Sequence, residues 1–297
     1  MGRPSSIGFC VLSLFLVCFA LLSCSPRYES RYFEDWNDLA ALPEDTGGVQ
    51  SAFLGKDYPE AGNGFYVYLP AGWETSPIDY PTIFFFHGMG EVGNSNWDEE
   101  ILQKVLANGP PGMIASGEWN PPVPFIVVSP QSVSSINWWH SFSDDFYQNL
   151  LARYPIDPSR IYCVGLSMGG TFVWSGRRLS GNKFLSAAGV CVSSKLWIGE
   201  YDIELADYTK TVPGYPLWEF HGEKDELAEV GELKDAVAAI NADNDSFPVK
   251  LTVFPELNHS CWEEVFSSRT DTKTDPAYDP FDTDIYSWLL HYRRVEK

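Results

Sequence analysis

From Phe65 onward, short apolar runs alternate with segments whose apolar residues recur at helical spacing. Runs near residues 65–69, 82–86, 124–128, 160–164, 186–192, 216–220 and 249–254 predict strands. Tyr80-Pro81, Asn120-Pro121-Pro122, Asp157-Pro158 and Tyr215-Pro216 punctuate several of their starts. Between the runs, Trp97 to Leu106, Asp144 to Arg153, Met168 to Leu179, Leu227 to Ile240 and Asp284 to Tyr292 have the spacing of helices. Alternation of this kind requires right-handed crossovers, so the expected class is α/β, a mostly parallel central sheet with helices on both faces. The chain carries no internal repeat and no low-complexity tract.

At 297 residues the chain fits one large catalytic domain, expected over residues 64–297. An apolar share of 44% with 15% aromatics fills a sizeable core, and a charged share of 20% argues against disorder. The formal net charge of −20 works against phosphate-backbone binding, which needs clustered Lys and Arg, so nucleic acid is excluded as a partner. A well-solvated surface accounts for that charge.

Met1 to Ser23 has the pattern of an export signal, with Arg3 followed by an almost unbroken apolar run from Ile7 to Leu22. It is short for a membrane span, and an uncleaved anchor is the alternative. Leu21-Leu22-Ser23-Cys24 resembles a bacterial lipobox, which implies cleavage before Cys24, acylation of that thiol and export to a membrane; ordinary secretion with Cys24 as an incidental thiol is the other reading. Ser25 resembles the residue found where such proteins travel on to an outer membrane. Residues 24–63 are expected as a tether and domain-edge segment. Three cysteines then remain in the folded part, Cys163, Cys191 and Cys261, which allow at most one disulfide, and no C-x-x-C pair suggests a structural zinc site.

The strongest local signal is Ile161-Tyr162-Cys163-Val164 running into Gly165-Leu166-Ser167-Met168-Gly169-Gly170 and then a helical stretch. Strand, sharp turn and helix in that order expose a serine hydroxyl at the tip of a strained turn. The following helix points its N-terminus at the same place, where the Met168 amide can donate to a developing oxyanion. A serine needs a base, and in this arrangement the histidine comes last. His259 meets that requirement, following the strand Lys250 to Phe254 and the turn-like Pro255-Glu256-Leu257-Asn258. The orienting acid should lie on the loop His221-Gly222-Glu223-Lys224-Asp225-Glu226; Asp225 is the choice, with Glu223 and Glu226 as alternatives. Gly88, Gly90 and Gly93 spell the dinucleotide fingerprint, but no second strand ending in an acid follows. The glycines instead let the loop turn tightly, so that the Met89 amide faces the substrate carbonyl across from Met168. No metal or organic cofactor is called for.

Phe86-His87-Gly88-Met89-Gly90-Glu91-Val92-Gly93-Asn94, Ile156 to Tyr162, the Gly165 elbow, Phe220 to Asp225 and His259-Ser260-Cys261-Trp262 together resemble one family. It is the esterase group of α/β-hydrolases that includes feruloyl and acetylxylan esterases, polyhydroxybutyrate-depolymerase-like proteins and bacterial lipoproteins described as predicted peptidases. The resemblance runs from Gly64 to the C-terminus and implies Ser167, Asp225 and His259 as a catalytic triad acting on an ester, with polysaccharide-borne feruloyl or acetyl esters as the expected substrates. Val92 departs from it, standing where relatives often carry Arg. Trp138, Trp139, Trp197 and Trp262 offer π faces for a sugar or aryl ring, and equally bulk for a core. A peptidase of the same fold and a non-catalytic glycan-binding lipoprotein are the alternatives.

Overall fold

In the computed structural model, the described residues are 28–134, 143–180, 186–196, 198, 204–212, 214–242, 244 and 246–297, the side chains of 176–180 excepted. An eight-stranded sheet has the order β2 (Val49–Phe53), β3 (Phe65–Leu69), β5 (Ile126–Pro130), β4 (Tyr80–Phe86), β6 (Ile156–Leu166), β7 (Ala188–Val192), β8 (Leu217–Gly222) and β9 (Lys250–Phe254). The pairings of β2 with β3 and of β3 with β5 are antiparallel, and the rest are parallel. The mostly parallel α/β sheet expected from the alternation is therefore present, and this is the α/β-hydrolase fold.

Period-two alternation divides the strand side chains between two cores. On β4, Phe84 and Phe86 enter one cluster while Ile83 and Phe85 enter the other; on β6, Ile161 and Cys163 oppose Tyr162 and Val164 in the same way. The first cluster is covered by α3 (Asp144–Arg153), α4 (Met168–Ser180) and α6 (Val230–Ala242), through Phe146, Leu150, Phe172, Trp174, Leu233 and Val237. The second is covered by α7 (Trp262–Phe266) and α8 (Ile285–Leu290), through Val265, Phe266, Ile285 and Leu289. Three further helices precede or intervene: α1 (Glu99–Leu102), α2 (Gly109–Ser116) and α5 (Leu205–Thr211).

Residues 28–63, expected as a tether and domain edge, furnish strands. β2 is the edge of the main sheet, and β1 (Tyr28–Tyr32) pairs antiparallel with β10 (Tyr292–Glu296) as a separate two-stranded ribbon. An ionic cluster fastens this ribbon's surroundings to the main sheet. The buried Arg160 on β6 pairs with Asp157 at 2.6 Å and with Asp38, and Asp38 also takes Arg293 of β10 at 2.8 Å. A guanidinium suits this role because its fork of donors serves two carboxylates at once. Replacing Arg160 by Met should leave Asp157 without its 2.6 Å partner and lower stability by about 1–3 kcal/mol in urea unfolding, since breaking one side of a part-buried pair strands the other charge. A change below about 0.5 kcal/mol would show the cluster to be energetically idle.

Candidate active site

Four loops at the C-terminal ends of parallel strands converge on one place. β6 runs directly through Leu166 into Ser167, and α4 begins at the next residue. Ser167 sits at φ 50°, a left-handed conformation that few non-glycine residues adopt and that signals local strain. The turn closes because its neighbours are glycines. A Cβ on Gly169 would lie 1.9 Å from the Phe86 carbonyl oxygen, and one on Gly165 would lie 2.5 Å from the Gly169 backbone. The elbow thereby raises the serine, half-buried, above the sheet.

His259 Nδ1–H donates to Asp225 Oδ2 at 2.7 Å, which leaves the Nε2 lone pair to accept from the Ser167 hydroxyl at 2.9 Å. The three residues assigned from the sequence are thus one hydrogen-bonded chain. Asp225 is buried, whereas Glu223 and Glu226 are exposed, and Glu223 is engaged by Lys234 at 2.5 Å. Asp225 Oδ1 accepts the Leu227 and Ala228 amides at 2.8 and 2.9 Å. Burial alone would raise its carboxyl, but the contacts from His221, the Ala228 amide and His259 hold it well below the usual carboxylate range.

The loop after β4 is held by His87 rather than by glycine torsions. None of Gly88, Gly90 and Gly93 has a positive φ. Burial pushes His87 down to about 4, so the ring is neutral; Nδ1–H donates to the Gly88 carbonyl at 2.6 Å and Nε2 accepts the Ser132 amide at 2.9 Å. In a trans peptide the C=O and N–H point in opposite directions, so fixing the Gly88 carbonyl on His87 aims the Met89 amide away from the core. Met89 opens a short 3₁₀ turn and Met168 opens α4, positions whose amides have no acceptor inside their own helix. Beyond the ends of β7 and β8, a cavity of about 230 Å³ is lined by Ser194, Lys195, Leu196, Glu226, Leu227 and Leu233, among others.

Of the tryptophans expected near substrate, Trp138, Trp139 and Trp197 lie outside the described residues, as does Cys24. Trp262 is half-buried and meets His259 edge to face, ring centres 5.6 Å apart, while its Nε1–H donates to Asn108 Oδ1 at 3.0 Å. Asn108 in turn donates to Glu91 Oε1 at 2.5 Å, which links His259, through Trp262, to the loop of Met89. Cys163, Cys191 and Cys261 are all free thiols.

Three contributors escaped the sequence reading. Ser193, at φ 54°, donates its hydroxyl to the His259 carbonyl at 2.7 Å and fixes His259 from behind. Glu219 and His221 are fully buried on β8, next to Asp225. Two ionisable residues spaced i, i+2 in an apolar strand share one face, and that spacing was the available signal. Among the described residues, no group of three or more His, Cys, Asp or Glu is arranged to hold a metal ion.

No protein-family model matches this chain, and no curated protein does. Solved structures do match at the level of fold. A feruloyl esterase module from Clostridium thermocellum, in a mutant form complexed with sinapinate, is 19% identical with a TM-score of 0.52, covering 90% of this chain and 96% of that one. Thermogutta terrifontis esterase 2, phosphorylated by paraoxon, is 16% identical with a TM-score of 0.51, covering 73% of this chain and 86% of that one. A thermostable esterase is 23% identical with a TM-score of 0.45; the match covers 82% of this chain and spans only 60% of that protein's length.

The buried ionisable groups give stability a defined pH dependence. Burial would lower His221, but Asp225 and Glu219 outweigh it and raise the ring from 6.5 to about 9. A raised folded-state value means that the contribution of His221 is complete below about pH 6.5 and is lost as pH rises through about 9. Asp225, being depressed, contributes fully above its ordinary carboxylate range and loses that contribution only as acid protonates the folded state. The midpoint of urea unfolding should therefore fall between pH 6.5 and 9; a flat profile there would contradict the charged state of His221.

Proposed function

We propose that this chain hydrolyses carboxylic esters through an acyl-enzyme formed on Ser167. The observation that carries the reading is the continuous chain Ser167 Oγ to His259 Nε2 at 2.9 Å and His259 Nδ1 to Asp225 at 2.7 Å, at the tip of a strained elbow. Ser167 Oγ attacks the ester carbonyl carbon while His259 takes its proton. The tetrahedral oxyanion accepts hydrogen bonds from the Met89 and Met168 amides, in a site where fixed dipoles need no reorganisation. Collapse breaks the bond to the alcohol oxygen, which receives the proton from His259. Water then adds to the acyl carbon as His259 takes its proton, and Ser167 leaves with that proton. Asp225 holds the imidazole in the Nδ1–H tautomer and stabilises the imidazolium without itself becoming protonated.

The finer reading is an aromatic acyl group carried on polysaccharide. It is supported by the sinapinate complex of the feruloyl esterase module, and by Trp262 at the edge of the base. For the exported setting, the support is the pattern of Met1 to Cys24. A labelled fatty acid fed to the cells should be incorporated into the wild-type protein and not into a Cys24→Ser variant.

p-Nitrophenyl acetate should give a burst of nitrophenolate equal to the enzyme concentration. Its absence with glycan binding intact would favour the glycan-capture alternative. Ser167→Ala should lower kcat by about 10⁶-fold with little change in unfolding midpoint, and Asp225→Asn should lower it by about 10⁴-fold with a lower midpoint, because the buried His221 cation loses its partner. If Glu223→Gln or Glu226→Gln proves the more damaging change, the orienting acid is misassigned. Paraoxon should transfer its diethylphosphoryl group to Ser167 with release of nitrophenolate, and a modified peptide lacking Ser167 would remove that residue from the role. Methyl ferulate should be cleaved with a kcat/KM about tenfold above that of methyl butyrate.

A further inference from the structure

Glu219 and His221 are 0% exposed, yet no step of the ester hydrolysis proposed above uses them. His221 Nδ1 faces Glu219 Oε1 at 3.3 Å, while Nε2 faces both the Ala228 carbonyl at 2.7 Å and Asp225 Oδ2 at 3.0 Å. Every one of these partners is an acceptor. A neutral imidazole has a single N–H, and it would press one lone pair against a carboxylate or carbonyl in a space closed to water. With Glu219 and Asp225 ionised, only an imidazolium donating from both nitrogens satisfies this geometry. Glu219 offers its carboxylate to two further donors, Oε2 receiving the Trp174 indole N–H at 2.7 Å and Oε1 the Ser194 amide at 3.0 Å. An amide at position 219 would turn a donor toward one of those N–H groups.

We propose that Glu219 and His221 form a buried carboxylate–imidazolium pair that positions Asp225 and sets the charge facing the base His259. Asp225 Oδ2 is shared between His221 Nε2 and His259 Nδ1, so the two rings are joined through one oxygen. Taken alone, the His221 cation would cancel Asp225 and leave the His259 imidazolium of the reaction facing a neutral group. Glu219 restores the balance: one cation between two carboxylates leaves a net charge of −1 behind the base. The other titratable neighbours do not alter that count. Cys191 on β7 and Cys261 ahead of α7 are free thiols, and burial pushes both up, Cys261 to about 12, so they stay protonated.

This inference rests on the esterase reading for its kinetics but not for its electrostatics, and the two are tested apart. In the wild-type protein, ¹⁵N–¹H correlation spectra of the imidazoles should show His221 protonated on both nitrogens at pH 7.5. A neutral His221 tautomer there overturns the pair whatever the enzyme turns over. With p-nitrophenyl acetate as the probe, the acid limb of the kcat/KM profile reports the charge behind the base. Glu219→Gln removes an anion and should move that limb to lower pH by about half a unit or more; His221→Gln removes the cation and should move it to higher pH by a similar amount. The double variant leaves Asp225 alone with its charge of −1, and its limb should return close to the wild-type position. A merely structural role would lower activity in all three variants without opposite shifts, and limbs moving the same way in both single variants would overturn the proposal. An inactive wild type with a doubly protonated His221 would instead remove the esterase reading and leave the pair standing.

Discussion

A carboxylate buried to 5% exposure has to find a donor for its lone pairs, and Asp225 meets four: the Leu227 and Ala228 amides, His221 Nε2 and His259 Nδ1. That requirement organises the whole end of the sheet. The loop after β8 must curl so that its amides reach Oδ1. It is held to the loop after β9 by the Glu223 amide on Phe254 and the Lys224 amide on Leu257. The β9 loop must then present His259, whose carbonyl is caught by Ser193 at the end of β7, and its ring must reach the serine at the end of β6. The loops after four parallel strands, β6 to β9, are joined through the partners of one anion. A charge so fully hydrogen-bonded is cheap to keep ionised, whereas removing any one donor leaves it partly unpaired in a poorly solvated place.

The parts legible in the sequence were those where one physical demand dominates a segment. The parallel strands lie under helices on both faces and so read as continuous apolar runs, as with Ile161 to Val164 and Ile83 to Phe86. The two strands of the separate ribbon did not show. β1 reads Tyr-Glu-Ser-Arg-Tyr and β10 reads Tyr-Arg-Arg-Val-Glu, sequences whose exposed, charged faces carry no hydrophobic signal. α2 was hidden because Gly109-Pro110-Pro111-Gly112 looks like a break; the prolines occupy the first helical turn, where their missing N–H is not needed. In the site, Ser167, Asp225 and His259 stood out because chemistry demands those residue types in that order. Ser193, Glu219 and His221 did not, because their roles exist only once β7, β8 and β9 lie side by side.

The loop after β4 shows how a familiar pattern can arise from a different cause. Gly88, Gly90 and Gly93 spell a phosphate-binding fingerprint, yet no one of them uses the left-handed backbone that glycine permits. The loop takes its shape from the buried neutral His87, which grips Gly88 on one side and Ser132 on the other. The same economy recurs at Trp262. An indole next to His259 invites a substrate-stacking role, but its N–H is already spent on Asn108 and its edge packs on His259, so any ring it offers to substrate is one that also steadies that histidine.

The two-stranded ribbon has a consequence of another kind. Tyr28 lies opposite Glu296, and Lys297 reaches Glu29 at 3.0 Å, so the first and last described strands finish side by side. Topologically, the folded unit is nearly a closed loop with a nick in it. A peptide of a few residues would bridge Lys297 to Tyr28, and the ends of the chain could then be opened at any exposed turn without moving a strand of the main sheet. Whatever precedes Tyr28 is thus fastened at this seam, and a pull on it loads an accessory ribbon before it reaches the strands that carry Ser167, Asp225 and His259.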